Sequence, residues 1–132
     1  MTTSTDVGGA PTSTRKDRTA EYEELREGLS FWLTPQRTAK FGVAIARYIQ
    51  GYRDAHNNEP PRWGQTLIDT NAVAHLPFPP PEDFNSAERQ KWRNVKFNAL
   101  MEACKKAGWI DYGKQPLRVG PKFRQVVGHV TH

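Results

Sequence analysis

Four prolines crowded between residues 77 and 81 (Pro77, Pro79, Pro80 and Pro81) constrain this chain more than any other feature. Each fixes its own φ at about −65°, lacks an N–H and restrains the residue before it. Neither helix nor central strand can run through them, so an extended loop is expected. Whatever forms on either side must pack across it. Pro35 and the Pro60–Pro61 pair punctuate the first half in the same way.

Between these breaks the periodicity is helical. Tyr22, Leu25, Leu29 and Trp32 recur at three- and four-residue steps over 19–33, with Glu21, Glu23 and Glu24 early, where carboxylates suit the helix dipole. A second helix opens with Thr34 as cap and Pro35 at its first position. Its apolar stripe is Phe41, Ala44, Ile45, Tyr48, Ile49 and Tyr52, and it stops near His56, before Asn57, Asn58 and the proline pair. Residues 62–76 fit a short helix or extended chain. The expected compromise is a helix at 65–69, with Leu67 and Ile68 packing inward.

After the proline loop a third long helix starts at Asn85 or Ser86, capped by Ser86. Its stripe is Trp92, Val95, Ala99, Ala103 and Ala107, with Leu100 and Cys104 beside it and Gly108 as stop. A hairpin is predicted next: strands 109–112 and 117–119 around a turn at 113–116. From Lys122 onward, helix and extended chain are equally open.

Composition limits what this chain can be. The 132 residues are 36% hydrophobic, below the usual globular share, and the shortfall lies mainly in residues 1–18 and the proline loop. Residues 1–18 are expected to be a disordered tail, 19–127 one domain and 128–132 a frayed end. No apolar run reaches the roughly 18 residues of a membrane span, and the amino end lacks the apolar core of a secretory signal. One cysteine, Cys104, excludes an intrachain disulfide or a multi-thiolate zinc site. A cytoplasmic protein is the expectation, nucleoid-associated if bacterial.

The net charge of +5 is directional. Residues 1–33 carry −2, 34–58 carry +3, 59–84 carry −3, and 85–132 carry ten basic against three acidic side chains, for +7. A clustered cationic surface attracts polyanions, of which nucleic acid is the commonest in a cell.

The order of helix, short helix, longer helix and hairpin resembles a winged helix-turn-helix over about residues 34–123. The segment NALMEACKKAGWIDYGKQPLRVGPKF carries the likeness: Ala107–Gly108 end a helix, Trp109–Ile110 enter a wing, Lys114 sits at its tip and Leu117–Val119 return. IARYIQGYRDAHNNEPPRWGQTL is similar to the family's first helix and the turn into its second. The resemblance implies a mainly α fold with a small β-hairpin and double-stranded DNA as partner. The proline loop departs from it, making the link before the third helix far longer than the family's short turn.

On the third helix, Lys91, Asn94, Asn98, Glu102 and Lys105 fall opposite Ala103 and Ala107. Lys91, Asn94 and Asn98 are candidate base readers, since amide and ammonium groups can bond base edges in a major groove. A plain solvated face explains the same row. Arg89, Arg93 and Lys96 are candidate phosphate contacts, and Lys114 and Arg118 candidate wing contacts. Trp92 and Trp109 read as core. Trp63 stands in a loop-like setting and fits either packing on the first helix or a partner surface.

Catalytic patterns are sparse. The histidines His56, His75, His129 and His132 show no ligand spacing, Cys104 lies on an inward face, and there is no phosphate-binding glycine loop. No cofactor, metal or enzymatic activity is expected; a small basic ribonuclease using His75 is a distant third reading. The main expectation is a DNA-binding regulator or a replication or recombination accessory factor, with residues 19–33 as a possible homodimer arm. The alternative is a winged-helix protein–protein module using Tyr22, Trp32 and Trp63.

Overall fold

The two longest helices of this chain begin at side-chain caps that the sequence supplies. The computed structural model describes residues 18–130, with side chains to Val126. Residues 1–17 of the tail predicted over 1–18, residues 131–132 and the side chain of His129 lie outside the described residues; Arg18, the last residue of that predicted tail, is half-buried and ion-paired with Glu21, Asp83 and Glu88. Five α-helices, a 3-10 turn and one hairpin follow in order among the described residues: α1 (Thr19–Trp32), α2 (Pro35–Ala55), α3 (Trp63–Thr70), the 3-10 turn Ala72–His75, α4 (Ser86–Lys106), β1 (Ile110–Asp111), β2 (Arg118–Val119) and α5 (Pro121–Val130). The fold is mainly α with a small antiparallel hairpin, as the residue pattern implies.

Thr34 caps α2 as expected, its hydroxyl accepting from the Arg37 N–H at 3.3 Å, with Pro35 at the first position. The cap of α4 is Asn85 rather than Ser86. The Asn85 side chain accepts from the Glu88 N–H at 2.8 Å, and the Glu88 carboxylate accepts from the Asn85 N–H at 2.9 Å. This reciprocal box needs an acid three residues after the cap, which Asn85 has and Ser86 lacks. At its other end α4 closes in a Schellman motif. Gly108, at φ +88°, donates to Lys105 O, and the Trp109 N–H reaches back to Cys104 O, both at 3.0 Å.

The core forms where α1 and α2 pack on α4. Tyr22, Leu25 and Leu29 of α1 meet α4 from one side; Ile45, Ala46 and Ile49 face it from α2. Being covered on two sides, α4 buries a wider arc than one stripe: Trp92, Val95, Lys96, Phe97, Leu100, Met101 and Cys104. Ala99, Ala103 and Ala107, placed on the predicted stripe, are only half-buried at its margin. Ala44 of the predicted α2 stripe is exposed, whereas Gly42 is buried because the Trp109 ring lies where a side chain there would be.

The short helix runs over 63–70, longer than 65–69. Leu67 packs inward as expected, but Ile68 is 68% exposed. Only one face of a two-turn helix can meet the core, and Thr66 with Leu67 fills it. The hairpin is shorter than predicted, pairing Ile110 with Val119 and Asp111 with Arg118. Trp109 and Leu117 flank it as buried anchors. The segment left open after Lys122 is helical from Pro121, a residue suited to a first helical position. No helix among the described residues is long and apolar enough to cross a membrane.

In the proline loop, Phe78 adopts φ +68° immediately before Pro79. That is a costly conformation for a bulky residue. It is held by its own carbonyl, which accepts from the Trp92 indole at 2.8 Å and from Lys96 Nζ at 3.0 Å.

Candidate nucleic-acid interface

The exposed side of α4 carries a polar row at four-residue spacing: Gln90, Asn94 and Asn98, with Arg93 beside it. Helical geometry puts i, i+4 and i+8 one above another. A cleft of about 450 Å3 separates this row from α3, whose Trp63, Gly64, Leu67 and Ile68 form the other wall. A second cleft, about 580 Å3, continues along α4 past Glu102, Lys105 and Lys106 to Tyr112 of the hairpin. Trp63 and Asn98 line both clefts and form the ridge between them.

Trp63 is held at this ridge from two directions. Its ring meets Phe97 and Tyr112 edge-on, with centroids 5.5 and 5.0 Å away, and its indole N–H donates to Asn98 Oδ1 at 2.9 Å. It remains 37% exposed. The Lys105 ammonium lies 4.5 Å from the centre of the Tyr112 ring and donates to the Tyr112 carbonyl at 2.8 Å.

The sequence-predicted residues divide. Asn94 and Asn98 share the cleft with Arg93, so a phosphate candidate and two base-reading candidates lie on one surface. Lys91 is exposed but leans the other way, its ammonium 4.8 Å from the Tyr22 ring centre on α1, so it separates from the asparagines. Arg89 is turned back on the proline loop, donating to Phe84 O and Glu82 O at 3.0 and 3.1 Å. Lys96 is 5% exposed and donates to backbone carbonyls. The aliphatic stem of a lysine packs readily in a core while its tip finds carbonyls. Of the three phosphate candidates, Arg93 is the one that lines this cleft.

On the hairpin, Lys114 is exposed at the tip. Arg118 is paired with Asp111, Nη2 to Oδ2 at 2.9 Å, and its Nε is buried without a partner. Arg118, together with a backbone hydrogen bond at Tyr112, holds the Asp111 carboxyl below the ordinary carboxylate range. Gln90 was missed by the sequence reading, although its spacing to Asn94 was legible. On the facing wall Gly64 carries no sequence signal and Ile68 reads as an inward residue, because only the seating of α3 on α2 turns them toward this cleft.

The partner-surface residues of the alternative reading also divide. Tyr22 is buried with Phe84 and Trp92, at centroid distances of 6.1 and 5.9 Å, and is not available to a partner. Trp32 is half-buried, with Arg37 4.6 Å above its ring. The apolar stripe of α1 is used inside the chain, which leaves Phe31, 90% exposed, as the apolar group this helix presents outward.

Among the described residues no group of three or more His, Cys, Asp or Glu side chains could hold a metal ion. His56 stacks on Tyr52 at 3.9 Å, and His75 stands exposed at the end of the 3-10 turn. No family model, curated protein or solved structure significantly matches this chain.

Proposed function

We propose that this chain is a small duplex-DNA-binding protein of winged-helix-like build. It acts by occupancy rather than catalysis, as a regulator or as an accessory factor in replication or recombination. The observation that carries this reading is the exposed row Gln90, Asn94 and Asn98 with Arg93, opening onto the cleft beside α3 in the most basic part of the chain. Amide side chains at helical spacing suit base edges, and a guanidinium beside them suits guanine or phosphate. In this reading α4 enters a major groove and Lys114 meets adjacent backbone.

A salt titration of binding to a random-sequence duplex tests it. Each neutralised phosphate adds about 0.9 to the negative slope of log K against log[salt]. Contact through Arg93 and Lys114 together predicts a slope of about −2 or steeper. A flat dependence, or no binding at low salt, overturns the reading, as does tighter binding to RNA of the same sequence.

A second reading is favoured by Ile68. A 68% exposed isoleucine beside Trp63 in the same cleft is a suitable anchor for an apolar side chain of a protein partner. Retained partner capture with no DNA binding, lost on Ile68→Asp, would favour it.

A further inference from the structure

We infer that Trp63 is a positioning residue for base recognition: its indole sets which way the Asn98 amide faces. The inference rests on the DNA-binding reading above and deepens it by assigning a specificity-determining pair. An indole N–H is a donor only, so its partner at 2.9 Å is the amide oxygen of Asn98. The amide NH2 is then directed away from the indole, and an unbuttressed amide, which could present either end, is reduced to one orientation. An exposed asparagine gains little by ordering itself alone, since fixing its rotamer costs entropy. Here α3 carries that order. Trp63 is gripped by Phe97 and Tyr112 and leaves Asn98 on the surface of the cleft that Arg93 and Asn94 line. Asn98 therefore presents a fixed donor, which discriminates in favour of a hydrogen-bond acceptor on a base edge. Trp63 touches no base in this scheme; it acts through Asn98.

The test is selection of bound fragments from a random duplex pool by the full chain and its variants, with affinity for bulk duplex and its salt slope measured alongside. Trp63→Phe keeps an aromatic ring against Phe97 and Tyr112 and removes the N–H. It is expected to relax preference at one base pair by about tenfold, the order of one good base contact, with the salt slope unchanged because no charge is altered. Asn98→Asp, which removes the donor and keeps the shape, is expected to relax the same base pair. The double variant should be no broader there than Asn98→Asp alone. Relaxation by Asn98→Asp with a wild-type profile for Trp63→Phe overturns the positioning role. A wild-type profile for both overturns the inference while leaving DNA binding standing. Failure of the unsubstituted chain to bind duplex overturns both. Should Trp63→Phe not fold, side-chain amide NMR of the unsubstituted chain decides: a slowly exchanging Trp63 indole proton and a single Asn98 amide orientation are expected, and a freely rotating amide overturns the proposal.

Discussion

Lys96 Nζ donates to the carbonyl of Phe78 at 3.0 Å from inside the protein, with the Leu76 carbonyl 3.5 Å away. Burial lowers the pKa of this ammonium below the ordinary lysine value. Proton binding is therefore weaker in the folded than in the unfolded chain. Between the lowered folded value and the unfolded value of about 10.4, the unfolded state holds more protons and stability rises with pH. Lys96→Met has no group there to titrate. Urea unfolding of both proteins from neutral pH to pH 10 should show the unsubstituted chain gaining on the variant as pH rises. Parallel curves would mean that Lys96 is no more desolvated than a surface lysine.

Gly42 and Gly51 lie on the same helix and should respond oppositely to alanine. A Cβ at Gly42 would sit 2.5 Å from Trp109 Cγ, whereas one at Gly51 meets nothing within 4 Å. Gly42→Ala is expected to cost about 1–3 kcal/mol by overpacking. Gly51→Ala should stabilise by about 0.5–1 kcal/mol, since alanine is the better helix former. Denaturant midpoints measure both, and a loss of stability in Gly51→Ala would contradict the packing described.

Glu88 connects the α4 cap to Arg18, which bonds Glu88, Glu21 and Asp83 at 3.1, 3.2 and 3.3 Å. The backbone hydrogen bond from Asn85 and the bond from Arg18 hold its carboxyl below the ordinary range. A lowered carboxyl contributes stability above its unfolded pKa of about 4.3 and loses it as pH falls through the folded value. Glu88→Gln can keep the capping box while removing the charge facing Arg18. Thermal midpoints should be lower for the variant at pH 7, and the gap should narrow as pH falls below the ordinary carboxylate range.

Cys104 reports on the intact core. It is wholly buried on α4, and burial pushes its thiol up to about 12. Thiolate is the reactive form, so a thiol reagent at pH 8 should leave the folded chain essentially unlabelled and label it fully in denaturant. Rapid labelling of the native chain would place Cys104 outside the core.

Asp111 restrains the one arginine of the hairpin. Asp111→Asn removes the carboxylate facing Arg118 and should change stability little, because the pair is partly exposed and screened by solvent. If the hairpin meets DNA backbone, the freed guanidinium should tighten bulk duplex binding and steepen the salt slope by about 0.9. An unchanged slope would mean that the hairpin stays clear of the phosphates.

Local chemistry determined much of this protein. Thr34–Pro35, Gly108 and the proline clusters carry their instructions in backbone constraints that act over one to four residues, so the long helices and the hairpin were legible from the chain alone. Net charge was equally legible, because it is a sum over residues whatever their placement. Tertiary structure decided which of those charges face outward. Lys96, Arg89 and Arg118 read like Arg93 in the sequence, yet the first is drawn into the core by the Phe78 carbonyl. The second is held by the proline loop and the third by Asp111. The partners of all three are fixed only once the loop and hairpin have packed. The same holds for Trp63 and Asn98, 35 residues apart, whose hydrogen bond exists only because α2, packed on both α3 and α4, brings the start of α3 beside α4. A cap is settled by neighbours along the chain; a binding surface is settled by which elements are left uncovered.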